Sequence, residues 1–127
     1  MGLGCGGPSR IGLSTDKKES ESVSIIRRAF DAGINFVDTS EVYKTEGFIG
    51  EALQEVGRDK IVVSTKINYR GEFSPTRLRE GLEGSLKRLN TDYIDIYNLH
   101  GVNPEDYAYL RNEILPTFED LRNEGKI

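Results

Sequence analysis

Four short apolar runs alternate with four amphipathic stretches along the 127 residues, and this alternation limits the fold more than any other feature. We predict the runs as β-strands because they are short, and because β-branched residues dominate the third of them. Parallel neighbours need helical crossovers, and no hairpin dipeptide such as Asn-Gly separates the runs. The order therefore predicts an α/β fold with a parallel sheet. The four runs are Leu3–Cys5, Asn35–Asp38, Ile61–Lys66 and Tyr93–His100.

The stretches between the runs carry apolar residues at spacings of three and four, which is typical of amphipathic helices. Glycine after the last apolar position of a stretch marks a helix end, and Ser-Pro marks a helix start. We predict helix ends at Gly33, Gly57 and Gly125, a start at Ser74-Pro75, and a start or a kink at Pro116. The apolar positions are Val23, Ile26, Phe30; Ile49, Ala52, Leu53, Val56; Leu78, Leu82, Leu86, Leu89; and Ile114, Phe118, Leu121.

The number of βα units decides between two α/β architectures. A closed (β/α)8 barrel needs eight units and about 250 residues. This chain of 127 residues has four units and no low-complexity linker, so it fits one domain. The residues alone leave the choice between an open doubly wound sheet and part of a barrel. Lys126-Ile127 resembles the approach to a fifth strand.

Composition excludes several classes of function. The net charge is −4, and the 17 basic residues are scattered along the chain, which argues against a nucleic-acid partner. No apolar run approaches the roughly 18 residues of a membrane span. A single cysteine, Cys5, allows no intramolecular disulfide, and with one histidine it makes a metal site unexpected. We find no secretory leader and expect a cytoplasmic protein.

One motif at the start of the chain is set aside. Residues Gly2–Gly7 match the G-x-G-x-x-G pattern of dinucleotide-binding folds. In those folds the glycines follow a strand and lead directly into a helix. Here only Met1 precedes them, and a polar loop beginning at Pro8 follows. We interpret these glycines as a strand end where the backbone turns or a ligand approaches closely.

Ionisable residues close three of the four runs. Asp38 ends the second run, Lys66 the third and His100 the fourth, and Tyr43 lies in the loop after Asp38. Each one alone has an ordinary explanation, such as a turn cap, a loop aromatic or a solvated lysine. Catalytic groups of parallel α/β folds lie at the carboxyl ends of strands, so the four together predict a catalytic site.

These four side chains suit the reduction of a carbonyl group. A free tyrosine is a poor acid at neutral pH, and a nearby ammonium makes its proton easier to release. A carboxylate keeps the lysine charged and oriented, and an imidazole can hydrogen-bond a carbonyl oxygen. None of these groups supplies a hydride, so the reaction requires a nicotinamide cofactor.

Several stretches resemble the signatures of the aldo/keto reductase family. They cover nearly the whole chain and are specific in combination. The matching stretches are Ala32–Ser40 with Val42-Tyr43, Glu46 and Ile49–Leu53; Val63–Lys66; Leu86–Leu89 with Asp92–Tyr97 and His100; and Leu121–Ile127.

The resemblance implies that residues 1–127 are a partial aldo/keto reductase domain, the N-terminal half of a (β/α)8 TIM barrel. It implies a catalytic tetrad of Asp38, Tyr43, Lys66 and His100. Tyr43 is then the general acid, Lys66 promotes its proton release, Asp38 anchors Lys66, and His100 orients the substrate. The family transfers hydride from NADPH or NADH to an aldehyde or ketone. By the same resemblance Gly4, Cys5 and Asp38 lie at the cofactor.

Two departures from the family pattern concern the rim of the site. Lys44 follows Tyr43 where many members have Gly, and Gly101–Pro104 replace the usual residues after His100. Family members bind most of the cofactor through residues after the fourth strand. We expect an isolated half-barrel to be weakly stable, to self-associate or to be inactive, because its strand edges are unpaired.

Two other readings stay open at this point. One is a non-catalytic binding or regulatory module that retains the fold. The other is a barrel enzyme that forms a Schiff base on Lys66. The sequence identifies neither the carbonyl substrate nor the choice between NADPH and NADH.

Overall fold

A parallel four-stranded sheet carries helices between its consecutive strands. The computed structural model describes residues 1–15 and 17–127. The strands are β1 (Leu3–Gly4), β2 (Phe36–Asp38), β3 (Val62–Asn68) and β4 (Ile96–His100), in the spatial order β1-β2-β3-β4. The helices are α1 (Glu19–Asp31), α2 (Glu46–Val56), α3 (Pro75–Leu89), α4 (Tyr107–Tyr109) and α5 (Leu115–Asn123). This confirms four βα units, half of a (β/α)8 barrel.

The helix boundaries follow the signals predicted from the sequence. The Ser74 side chain accepts a hydrogen bond from the Arg77 amide, and Pro75 occupies the first turn of α3. Gly33 and Gly57 adopt φ of 87° after α1 and α2, a left-handed region that glycine enters at low cost. Pro116 lies in the first turn of α5, so it starts that helix. A π-helical stretch, Leu110–Ile114, precedes α5 and was not predicted.

Five strand boundaries differ from the prediction, three of them by a single residue and two by more. β3 continues past Lys66 to Asn68, and β4 begins at Ile96 rather than Tyr93. The later start has a physical reason: the Asp95 carboxylate accepts hydrogen bonds from the Val63 amide at 2.8 Å and from Arg58 at 2.6 Å. A side chain thus takes the amide hydrogen that a backbone ladder would use at this end of β4.

The two faces of the sheet have different surroundings. Val37, Val63, Ile67 and Tyr97 point to the face that the helices cover, and all of them are buried. Val62 and Ile96 lie on the other face, where they are 36% and 41% exposed. This second face corresponds to the interior of a closed barrel. It also carries the polar residues at the strand ends.

The helical layer holds the apolar core. The leucines of α3 at positions 78, 82, 86 and 89 are all buried, as their spacing predicts. After α5 the chain returns to the segment before β4, where the carbonyl of Lys126 accepts a hydrogen bond from the amide of Ile94 at 3.0 Å. Within the described residues no helix has the length and apolar character needed to cross a membrane.

Candidate functional site

Three predicted site residues meet at the carboxyl ends of the strands. Asp38 is the last residue of β2 and pairs with Ser64 of β3. Lys66 lies two residues further along β3, so its side chain shares the face of Ser64. His100 is the last residue of β4 and pairs with Asn68. Strand register therefore places the three side chains on one face and at one end.

Lys66 and Asp38 form the ionic centre of this site. The Nζ of Lys66 lies 2.7 Å from Oδ1 and 2.6 Å from Oδ2 of Asp38, and 2.9 Å from the carbonyl oxygen of Thr39. The Ser64 hydroxyl donates a further hydrogen bond to Oδ1 at 2.9 Å. An ammonium has three donors, and these three acceptors use them all. Lys66 is therefore held fixed and acts on its neighbours through its charge.

Tyr43 ends a short 3-10 helix, Glu41–Tyr43, that follows β2. Its ring centroid lies 5.6 Å from the Nζ of Lys66 and 5.6 Å from the ring centroid of His100, which it meets edge to face. A Cβ added at Gly6 would lie 2.7 Å from the ring of Tyr43, so the loop after β1 needs glycine there. The backbone of Gly6 thus supports one side of the ring.

Glu41 fixes the turn that carries Tyr43. Its Oε1 accepts a hydrogen bond from the amide of Asn68 at 2.8 Å and pairs with Arg77 of α3 at 2.7 Å. Together these bonds tie the turn to the end of β3 and to the helical layer. No periodic pattern identified Glu41 from the sequence, because a single 3-10 turn is too short to show one.

Ser40 connects His100 to β3. Its hydroxyl lies 3.1 Å from Nδ1 of His100 and 3.1 Å from the carbonyl oxygen of Lys66, and its side chain is fully buried. In the sequence Ser40 was identified only as part of the Ala32–Ser40 motif, and no role was predicted for it. Ser64 was likewise missed, although its position two residues before Lys66 in a strand puts both on one face.

Gly4 and Cys5 lie next to Asp38, where the resemblance predicts cofactor contacts. The Cys5 amide donates to the carbonyl of Asp38 at 2.8 Å, and the Cys5 carbonyl accepts from Thr45 at 3.2 Å. Burial, followed by the negative charge of Asp38, raises the pKa of the Cys5 thiol to about 12. A Cβ built at Gly4 meets no atom within 4 Å. Gly4 therefore offers open space, whereas the polar atoms of Cys5 are engaged internally.

A buried carboxylate lies beneath the sheet. Glu46 of α2 is 1% exposed and accepts hydrogen bonds from Thr65 at 2.7 Å and from Arg88 at 2.6 Å. Thr65 is the residue before Lys66, and it points to the opposite face of β3. The two hydrogen bonds of Glu46 thus connect α2 and α3 to the strand that carries Lys66. In the part of the chain described, no cluster of three or more histidine, cysteine or carboxylate side chains could hold a metal ion.

Known proteins with similar sequences include oxidoreductases and a channel subunit. "Uncharacterized oxidoreductase YqkF" of Bacillus subtilis is 35% identical over the whole of this chain and 42% of its own length. "L-galactose dehydrogenase" of Arabidopsis thaliana is 35% identical over 85% of this chain and 36% of its own. "Probable voltage-gated potassium channel subunit beta" of Oryza sativa is 38% identical over 71% and 30%. The chain spans about two fifths of the length of the first two relatives.

Similar solved structures are aldo-keto reductases. The holo form of AKR11C1 from Bacillus halodurans is 34% identical, with a TM-score of 0.81 over all of this chain and 43% of its own. The Bombyx mori aldo-keto reductase AKR2E4 in complex with NADP is 26% identical, with a TM-score of 0.77 over 99% of this chain and 43% of its own. The sequence model described as "Aldo/keto reductase family" matches residues 1–127. The chain therefore belongs to the aldo/keto reductase family.

Proposed function

We propose that this chain carries the acid–base half of an NADPH- or NADH-dependent oxidoreductase that reduces aldehydes or ketones to alcohols. The observation that supports it is the fixed Lys66–Asp38 pair, whose Nζ lies 5.6 Å from the ring centroid of Tyr43. A carbonyl reductase must deliver a proton to the oxygen of its substrate. A tyrosine hydroxyl beside a fixed positive charge can release that proton more easily.

Each residue of the proposed tetrad has its own task. Tyr43 donates its hydroxyl proton to the carbonyl oxygen, and Lys66 stabilises the negative charge left on Tyr43. Asp38 accepts hydrogen bonds from two of the three ammonium N–H groups of Lys66, which keeps that charge in place. His100 lies against the ring of Tyr43 and orients the substrate oxygen.

The residues around Gly4 fit one side of a nicotinamide. Open space above Gly4, beside the Asp38 carboxylate, lets a flat ring approach the backbone closely. When bound, the nicotinamide supplies the hydride. The Cys5 thiol and amide are engaged inside the protein, so we propose that Cys5 shapes this surface rather than donating to the cofactor.

We propose that residues 1–127 are the first half of the catalytic domain. The relatives extend well beyond the matched region, and the open face of the sheet exposes Val62 and Ile96. Activity then belongs to the protein in which further βα units cover this face. Without those units we propose that the chain self-associates, because an open apolar face and unpaired strand edges favour pairing between chains.

The reductase proposal is tested with the product of the complete coding sequence. A panel of aldehydes and ketones is incubated with NADPH or NADH whose transferable hydrogen is deuterium. We expect equal amounts of cofactor oxidised and alcohol formed, with the deuterium on the former carbonyl carbon. Bound cofactor without turnover of any carbonyl contradicts the proposal.

A second candidate is a non-catalytic subunit that keeps the fold. The observation that favours it is the 38% identity to the probable potassium channel β subunit of rice. Such a subunit binds cofactor and a partner protein without needing the hydroxyl of Tyr43. Cofactor binding without any carbonyl turnover, together with a stable complex with a membrane channel, supports this second candidate.

A further inference from the structure

Ser40 lies between Lys66 and His100, and its hydroxyl has one proton but two possible hydrogen-bond partners. Its Oγ is 3.1 Å from the carbonyl oxygen of Lys66 and 3.1 Å from Nδ1 of His100. The carbonyl oxygen can only accept a hydrogen bond, whereas Nδ1 can either accept or carry a proton. The direction in which Ser40 donates this proton therefore determines the tautomer of the neutral imidazole.

The position of the Lys66 carbonyl decides where that proton goes. β2 ends at Asp38, and the last backbone bond from this side runs from the Thr39 amide to the Ser64 carbonyl. The Lys66 carbonyl lies one ladder step further along β3, where the Ser40 hydroxyl is its donor. If the Ser40 hydroxyl donated to His100 instead, the Lys66 carbonyl would lose this hydrogen bond in a part-buried setting, which is unfavourable.

We propose that Ser40 is a positioning residue that holds neutral His100 as the Nδ1–H tautomer. The Ser40 hydroxyl donates to the Lys66 carbonyl, so towards His100 it presents an oxygen lone pair. Nδ1 then carries a proton and donates a hydrogen bond to the Ser40 oxygen, and Nε2 carries no proton. The Ser40 side chain is fully buried, which keeps water from supplying an alternative partner.

This tautomer determines which hydrogen bond His100 can form with a substrate, and this step rests on the proposed function. A bare Nε2 and a carbonyl oxygen are both acceptors, so neutral His100 forms no hydrogen bond with an aldehyde or ketone through Nε2. The imidazolium form can donate from Nε2 to the carbonyl. The neutral form instead accepts from the hydroxyl of an alcohol. The same residue then serves reduction when charged and the reverse oxidation when neutral.

Charged and titratable side chains lie on the elements around His100. Tyr43 meets the His100 ring edge to face from the turn after β2, and Glu41 lies in the same turn, Lys66 in β3 and Asp38 in β2. The proposed tautomer concerns only the neutral imidazole, so the test is made at a pH at which His100 is uncharged.

The test is ¹⁵N NMR of the imidazole nitrogens in the full-length protein. His100 is the only histidine of the 127 residues, and its signals are identified by their loss in His100→Gln. We expect Nδ1 at the shift of a protonated ring nitrogen and Nε2 at that of an unprotonated one. In Ser40→Ala we expect the opposite pattern or averaged shifts, because the acceptor for Nδ1–H is gone.

Ser22→Ala is the matched control. Ser22 is also buried, at 1% exposure, but its hydroxyl has no hydrogen-bond partner among the residues that the structure describes. We expect its His100 signals to stay as in the parent. A parent spectrum with the proton on Nε2, or a Ser40→Ala spectrum unchanged from the parent, overturns the proposal. The readout needs no substrate, so failure of carbonyl reduction and failure of this inference are seen separately.

Discussion

Asp38 and Lys66 face each other across adjacent strands, and both carboxylate oxygens lie within 2.7 Å of the ammonium nitrogen. Neighbouring parallel strands end at the same edge, so the last residue of β2 and a late residue of β3 meet there without help from any loop. The pair is therefore built by the sheet itself. It remains formed for as long as the two strands stay paired.

Asp38→Asn tests the value of this pair. An amide cannot neutralise the ammonium, and one of its two polar atoms repels it. We expect stability to fall by about 1–3 kcal/mol, because Lys66 and Ser64 lose a charged acceptor. We expect carbonyl turnover per folded molecule to fall by on the order of 100-fold, because Lys66 loses its fixed position beside Tyr43. Steady-state kinetics of the full-length protein measure the effect.

The matched control is Asp95→Asn at the opposite end of the sheet. Asp95 also forms a 2.6 Å ion pair, with Arg58, and the side-chain exposures of 29% and 17% resemble those of the Asp38–Lys66 pair, 37% and 19%. We expect lower stability, by about 1–3 kcal/mol, with turnover per folded molecule unchanged. Equal loss of turnover in both variants contradicts a special role for Asp38.

Two glycines of α2 give a sharp test of the helix packing. A Cβ at Gly50 would lie 2.6 Å from the carbonyl oxygen of Arg88 and 2.7 Å from that of Leu89, whereas a Cβ at Gly47 meets nothing within 4 Å. We expect Gly50→Ala to destabilise the fold by about 1–3 kcal/mol through overpacking. Gly47→Ala should be neutral or stabilise by up to about 1 kcal/mol. Urea unfolding of both variants measures the difference.

Glu46 is predicted to matter for stability more than any exposed carboxylate on its helix. Glu46→Ala leaves Thr65 and Arg88 without their acceptor beneath the sheet, and we expect a loss of about 2–3 kcal/mol. Glu51→Ala on the same helix removes only a 3.6 Å contact of an exposed side chain with Arg27, so we expect less than about 1 kcal/mol. Thermal or urea unfolding followed by circular dichroism compares them. Equal losses would mean that the buried contacts add nothing.

The Cys5 thiol should be unreactive in the folded protein. Burial, together with the Asp38 charge, raises its pKa from 9.0 to about 12, so almost no thiolate forms near pH 8. We expect a disulfide reagent to label Cys5 only as fast as the protein unfolds, and rapidly in urea. Because the unfolded chain loses this proton first, the Cys5 contribution also makes stability fall as pH rises above about 9. Fast labelling without denaturant contradicts this account.

The sequence predicted the parts of the site that depend on strand ends. Asp38, Lys66 and His100 were found because each closes an apolar run, and the carboxyl ends of parallel strands meet at one edge of a sheet. The same period could have identified Ser64, two residues before Lys66. The tetrad roles themselves stay predictions, since geometry shows proximity and not chemistry.

The residues that the sequence did not identify act through tertiary contacts. Ser40 and Glu41 lie at the start of a short 3-10 turn, where no periodicity fixes the direction of a side chain. The later start of β4 depends on the Asp95 carboxylate reaching the amide of Val63, a contact across 32 positions of sequence. Local patterns contain no information about such a contact, so the predicted strand began three residues too early.

Carbonyl reduction by Tyr43→Phe measures the central claim most directly. This change removes only the hydroxyl and keeps the ring that contacts Gly6 and His100. The control is Tyr93→Phe, whose ring packs on Arg58 at the opposite end of the sheet. We predict that kcat/KM of the full-length Tyr43→Phe protein falls by at least about 100-fold, with cofactor binding retained and Tyr93→Phe unaffected. Undiminished reduction by Tyr43→Phe would contradict the account.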